Sequence, residues 1–266
     1  MSSNPSNLIR DRYIVDGNAL FLTATEASWR RSADSHYKGG GIVVAIGYPL
    51  SGTGKVYHRD RRGFDMTIPL PGNENDAGSG GADLFLDFIA ERVKPAVRER
   101  FPNIRVDREA LYGHSYGALF ALHGLFTRPA IERGGFDAYL ASSPSIWWGG
   151  RCVLEEARNY THRAKEARNP TNKVPALLMY VGGLEQEPRR WRDETDESWE
   201  KRTRDAKIFD MRRNALELVE VVKDAPLQVG LREYAGEDHG TVMACSLSRG
   251  LATFFEDWPL REEDLD

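Results

Sequence analysis

The stretch Glu109 to Thr127, EALYGHSYGALFALHGLFT, constrains this chain more than any other. A short apolar run, Ala110 to Tyr112, meets Gly113-His114-Ser115-Tyr116-Gly117, and a helix-capable segment, Ala118 to Phe126, follows without a spacer. Strand, sharp turn and helix are the context in which a G-x-S-x-G pentapeptide lifts a serine hydroxyl above the C-terminal edge of a sheet. The two glycines have a physical reason, since a side chain at 113 or 117 would crowd the strand and helix that pack at the elbow. Such pentapeptides also arise by chance, mostly in loops. The flanking strand and helix favour the nucleophile reading here. A serine so placed needs a base, a group that orients the base, and donors for an oxyanion.

The rest of the chain supplies elements in alternation. Arg12 to Asp16 reads as a short strand ended by Gly17, and Ala19 to Arg31 has helical character. Gly41 to Gly47, GIVVAIG, reads as a strand buried on both faces, because its apolar residues do not alternate with polar ones. Pro49, Gly52 and Gly54 impose a loop. Its Gly54-Lys55 pair is not a phosphate loop: the first glycine is missing at 49, and Val56 stands where Ser or Thr should bind magnesium. After a loop from Pro69 to Gly81, Asp83 to Arg100 predicts a helix with Leu84, Phe85, Phe88, Ile89 and Val93 on one face and a kink at Pro95. Phe136 to Ser142 is a strand ending in Ser143-Pro144-Ser145-Ile146-Trp147-Trp148, and Val174 to Val181 is a strand ending in Gly182-Gly183. Glu185 to Asp205 is densely charged and of mixed sign, with Trp191 and Trp199 interleaved, and reads as a solvated helical insertion. Ile208 to Val222 predicts an amphipathic helix, Leu227 to Tyr234 a strand, and Val242 to Phe255 a closing helix. This alternation predicts an α/β fold with a mostly parallel sheet flanked by helices. With 266 residues, 41% hydrophobic, the chain can bury one substantial core, so residues 1–266 are expected to form one domain.

In such a sheet, function collects at the loops leaving the C-terminal ends of strands. Of the six histidines, His239 alone lies in a glycine-flanked loop after the last strand, Gly236-Glu237-Asp238-His239-Gly240, and is the candidate base. His114 is expected to point away from the reaction. His123 falls on the helix behind the elbow, and His36, His58 and His162 lie in polar stretches. For the acid, Glu185 follows its strand in a Gly182-x-x-Glu185 spacing and is preferred over Glu187, Glu237 and Asp238; each of these is equally readable as a solvated surface residue. The Tyr116 N–H, next after the nucleophile, and the Asn18 N–H in the Asp16-Gly17-Asn18 loop are candidate oxyanion donors. An ordinary turn is the competing reading of that loop.

The net charge of -4 carries no footprint for nucleic acid or an anionic membrane, which points to a small-molecule substrate. Cys152 and Cys245 are too few for a disulfide scaffold. The N-terminal stretch has no apolar signal region and no run is long enough to cross a bilayer, so a cytoplasmic location is expected. No metal cluster or cofactor fingerprint stands out.

Tyr13-Ile14-Val15-Asp16-Gly17-Asn18, Val44-Ala45-Ile46-Gly47-Tyr48, Arg62-Gly63-Phe64-Asp65-Met66-Thr67, the Ser115 pentapeptide, Ser143-Pro144-Ser145 and His239 together resemble the esterase D-like branch of the α/β-hydrolases. Nucleophile, carboxylate and histidine also fall in that fold's chain order. Within the branch the chain is most similar to siderophore esterases, those opening the trilactone of enterobactin or salmochelin and fungal ones acting on fusarinine-type esters. The resemblance runs from Tyr13 to Phe255. It implies ester hydrolysis through a serine acyl-enzyme, with Ser115 and His239 carried over. Some siderophore esterases of this type work with serine and histidine and no well-placed acid, so the need for Glu185 stays open. By similarity Arg62 faces the substrate, with a salt bridge to Asp65 or a neighbour as the other reading. Trp147 and Trp148 are candidates to wall the acyl pocket, with buried packing the other role. Iron, where involved, would arrive inside the substrate.

One departure carries a consequence. The family begins with an antiparallel hairpin that covers the strand Gly41 to Gly47, and here only a short polar tail precedes Arg12. A bare apolar edge invites pairing. Cover by residues Met1 to Arg10, self-association, or a shortened form of the family is therefore expected. A general carboxylesterase or thioesterase would share every one of these residues; a binding protein that had lost catalysis fits less well, because nucleophile and base are both present.

Overall fold

Every strand of the sheet runs parallel to its neighbours in the computed structural model, which describes residues 8–33, 40–52, 55–72, 78–128, 134–166, 174–257 and 260–261. The first half runs β1 (Leu8–Ile14), α1 (Gly17–Ser32), β2 (Gly41–Ala45), α2 (Arg59–Asp65), α3 (Ala82–Phe88), α4 (Lys94–Arg100), β3 (Arg105–His114) and α5 (Tyr116–Thr127). The second runs β4 (Ala138–Ser142), α6 (Cys152–Glu166), β5 (Ala176–Gly182), α7 (Gly183–Gln186), α8 (Asp196–Phe209), α9 (Met211–Val222), β6 (Gln228–Tyr234) and α10 (Val242–Glu256). The strand order is β2-β1-β3-β4-β5-β6. From β1 the chain winds to one side for β2, then returns to the other side for β3 and continues outward. The order therefore reverses between β1 and β3, and the loops leaving their carboxyl ends diverge to open a crevice.

Alternation of side chains about the sheet builds two cores. Leu111, Tyr139 and Leu177 point to the face covered by Phe85, Phe120 and Phe126, whereas Ala110, Tyr112, Leu140 and Leu178 point to the face covered by Leu20, Leu247, Leu251 and Phe254. All of β4 and β5 is buried, which is why those sequences read as continuous apolar runs. Each fully buried Leu or Phe contributes roughly 2 kcal/mol, so the central strands anchor the loops at their ends.

The strand at Gly41 departs from expectation. It is an edge strand, half-buried rather than covered on both faces, because among the described residues β1 alone pairs with it. Residues 8–10 do not cover that edge. They extend β1, Leu8 pairing with Arg105 and Arg10 with Gly41, while residues 1–7 lie outside the described chain. The helix expected over 83–100 is α3 and α4 joined by a π turn, Ile89–Val93. Pro95 has no N–H and its ring crowds the carbonyl four residues back, so a widened turn just before it keeps the segment continuous. The helix expected over 208–222 breaks at Asp210, whose φ is 44°. Two helices have no counterpart in the sequence reading: α6, whose Val153, Leu154, Ala157, Tyr160 and Thr161 make a buried stripe, and the short, charged α2.

Candidate active site

Ser115 sits between β3 and α5 at φ 59° and ψ −115°, outside the regions a side chain tolerates easily. Packing over-determines this strain. A Cβ on Gly113 would lie 2.0 Å from the Gly117 carbonyl oxygen, and one on Gly117 would lie 2.8 Å from Val15 Cγ2. The Ser115 N–H donates to the Ser142 carbonyl at 2.9 Å, tying the elbow to β4. Tyr116 opens α5, so its N–H has no acceptor within the helix. The Ser115 hydroxyl lies 3.3 Å from Ser145 Oγ, and the Ser145 N–H donates to the Ser115 carbonyl at 3.3 Å.

Glu185 and His239 meet beside it. At the end of β5 the chain makes the single turn α7, which folds Glu185 back over its own strand: Oε1 accepts the Gly182 N–H at 2.7 Å and the Ser143 hydroxyl at 2.5 Å. Ser143 is held for this at φ 45°, its N–H donating to the Tyr180 carbonyl at 2.7 Å. The other oxygen, Oε2, lies 2.6 Å from His239 Nδ1. A carboxylate at Nδ1 fixes the proton there and leaves Nε2 free to accept one. The Glu185 side chain is 3% exposed and that of His239 48%, so the acid is hidden behind an imidazole that faces the cavity. Glu187 is exposed, and the Asp238 carboxylate accepts the Gly240 and Thr241 N–H groups of its own turn.

Two cavities meet at Ser115, and both are also lined by Tyr116, His239 and Gly240. The larger, about 660 Å³, is walled by Trp147, Trp191 and Phe209, with Ser145 and Glu185 at its base. Trp147 stacks on Phe209 at 4.3 Å between centroids. Arg202, also on this wall, lies 3.9 Å from the Trp191 ring and donates to both Glu194 oxygens. The smaller, about 480 Å³, is lined by Tyr57, Arg59, Arg62, His114 and Met243. Arg62 Nε donates to both Asp16 oxygens at 2.8 Å, and its Nη2 to the His114 carbonyl at 3.0 Å. Burial pushes the Asp16 carboxyl up against the opposing pull of Arg62. The His114 ring lies 4.5 Å from that of His239; burial, then the nearby His239 and Arg62, hold its pKa well below the ordinary imidazole range, which favours the neutral ring beside His239.

A family profile described as "Putative esterase" matches residues 11–242. The chain belongs to the esterase family. It is a carboxylic ester hydrolase of the α/β-hydrolase fold. The esterase is 53% identical to the siderophore triacetylfusarinine C esterase of Aspergillus fumigatus over 252 residues, which is 94% of this chain and 82% of that protein. It is 44% identical to the siderophore enterobactin esterase of Emericella nidulans, over 90% of this chain and 80% of that one. Among solved structures it resembles the siderophore hydrolase EstB from Aspergillus nidulans with a TM-score of 0.89 and 64% identity, over 98% of this chain and 87% of that one.

In the esterase, Ser115, Tyr116, His239, Glu185 and Trp147 share one cavity. Arg62 lines the smaller cavity but is paired with Asp16 rather than Asp65, which faces Arg61 at 3.5 Å. Trp148 packs against the core. Asn18 lines neither cavity; its side chain brackets Tyr48, accepting the Tyr48 N–H at 2.7 Å and donating to the Tyr48 carbonyl at 3.1 Å. His114 corrects the sequence reading: it faces His239 instead of pointing away, because it is the last residue of β3 and its ring falls on the side of the sheet that α10 approaches. In the sequence Ser143 and Ser145 stand out only as part of the Ser143-Pro144-Ser145 motif. Their position at the end of β4, between the strands bearing Ser115 and Glu185, is the signal that could have found them. Among the described residues no group of three or more His, Cys, Asp or Glu could hold a metal, and no helix is long and apolar enough to cross a membrane.

Proposed function

We propose that the esterase cleaves ester bonds of a siderophore through a Ser115 acyl-enzyme, with His239 as base and Glu185 as the group that orients it. The observation that carries this is the 2.6 Å contact between Glu185 Oε2 and His239 Nδ1, made in the cavity that also holds Ser115. Rotation of the Ser115 side chain from Ser145 toward the imidazole lets Nε2 take the hydroxyl proton as Oγ attacks the ester carbonyl. The Tyr116 N–H then faces the oxyanion, with Asn18 N–H as the second candidate donor. His239 returns the proton to the leaving alcohol, and a water activated by the same imidazole releases the acid. The siderophore assignment draws on the relatives named above and on the aromatic cavity of about 660 Å³, which accommodates a bulky, multi-ring or macrocyclic ester. Iron enters this scheme only as part of the substrate.

A fluorophosphonate probe should label the protein, and Ser115→Ala should abolish labelling and lower turnover of a ferric tri-ester by at least about a thousandfold with melting behaviour retained. Labelling that persists in Ser115→Ala would refute the assignment of the nucleophile. Comparing ferric and iron-free cyclic tri-esters with p-nitrophenyl esters would test the substrate class.

A further inference from the structure

The two cavities at Ser115 differ in charge. In the larger, Arg202 is neutralised by Glu194, and Asp205 and Asp238 also line the wall, so no unbalanced cation faces the space. Among the described residues the smaller is lined by Arg59 and Arg62 and by no carboxylate. On α2, Arg61 pairs with Asp65 and Arg62 with Asp16, which leaves Arg59 exposed and without a carboxylate partner among the described residues. A recess lined by two arginines, one of them exposed and without a carboxylate partner among the described residues, is suited to a carboxylate.

Ester hydrolysis itself makes such a ligand. Attack by Ser115 forms the Oγ–acyl bond and breaks the bond to the alcohol oxygen, which departs with the proton His239 took from Ser115; water then releases the acyl part as an acid. In a head-to-tail string of hydroxy-acid units, everything on the alcohol side of an ester runs toward the carboxyl end of the string. Once one ester of a cyclic or longer substrate has been cut, the alcohol leaving at the next cut therefore carries a free carboxylate. Resting on the reading of Ser115 as nucleophile, we infer that the Arg59 cavity is a leaving-group subsite that binds a carboxylate on the departing alcohol.

Matched linear esters test this, one ending in the free carboxylate and one in the carboxamide. The acid should be favoured about fivefold in kcat/KM at low salt, as a solvent-facing ion pair allows. Arg59→Gln should bring the ratio to about one and Arg59→Glu below it, through KM rather than kcat. In the unmodified protein the ratio should shrink as ionic strength rises from about 0.05 M to about 0.5 M, a measurement that does not depend on the variants folding. Equal hydrolysis of acid and amide by the unmodified protein, or a preference that survives Arg59→Gln, overturns the inference while leaving the esterase reading intact. Absence of Ser115-dependent hydrolysis of both esters overturns the reading beneath it and the inference together.

Discussion

Glu185 divides two tasks between its two oxygens. Oε1 is anchored by Gly182 N–H and Ser143 Oγ, and Oε2 is left for His239 Nδ1. A glutamine here would present an amide N–H to Nδ1 in one orientation, moving the ring proton to Nε2 where it cannot accept from Ser115. Glu185→Gln should therefore cost about 10²- to 10⁴-fold in kcat, measured beside His239→Ala in one assay. A loss below about tenfold would return the site to a serine–histidine dyad. Serine and histidine were legible in the sequence because glycines frame each of them in a loop after a strand. The choice of Glu185 over Glu187, Glu237 and Asp238 was not, since all four lie in the same two loops. Burial, a one-turn helix and a backbone N–H set Glu185 against His239 in the folded chain. Asp238 Oδ1 instead accepts the N–H groups of its own turn.

At the scale of elements, the segment from α7 to α8 shows what charge patterning conceals. Its mixed-sign sequence reads as a solvated insertion, and much of α8 is exposed. Arg202 nonetheless sits 3.9 Å from the Trp191 ring and 5.6 Å from that of Trp199, donating to Glu194 and to the Arg189 carbonyl. This knot makes the segment one wall of the larger cavity. Where α8 ends, Asn214 Nδ2 donates to the Phe209 carbonyl at 2.8 Å, and the break at Asp210 presents Phe209 to Trp147. Arg202→Met removes the donors and keeps the bulk. Amide exchange in residues 189–206 should then quicken on the order of tenfold, and KM should rise more for a bulky ester than for an acetate ester. Unchanged exchange would mean that the aromatic packing alone holds the wall. Helical periodicity accounts for the Arg202–Trp199 pair, three residues apart on α8, but not for Trp191 and Glu194, which precede the helix.

For the whole molecule, the buried charge on β1 sets a pH dependence. Both Asp11 carboxylate oxygens are buried without a hydrogen-bond partner among the described residues. Burial, then Glu109, push its pKa up to about 6 against the pull of Arg12, Arg98 and Lys94. The folded state thus keeps this proton after the unfolded chain has lost it, so the group costs stability as pH rises from its ordinary value toward 6, and the cost persists above. Asp11→Asn should stabilise the protein at pH 7 by up to about 3 kcal/mol, a gain that vanishes below about pH 4. Denaturant unfolding at the two pH values checks both the sign and the size. The open β2 edge belongs to the same scale. Self-association there would give twice the chain mass in light scattering at micromolar concentration, and a single species at the mass of one chain would withdraw that expectation.

Local chemistry was enough to place the strained elbow, the order of the six strands, and the loops that carry Ser115 and His239, because each rests on neighbours a few residues away: glycines that permit a turn, apolar runs that must be buried, polar loops that must not. What required the folded chain was everything set by register between distant strands. The pairing of Ser142 with His114 and with Tyr180 brings the loops after β3, β4 and β5 side by side. Only that alignment places a hydroxyl from residue 143 on a carboxylate from 185, turns His114 toward His239, and separates an aromatic cavity from a cationic one on either side of a single serine.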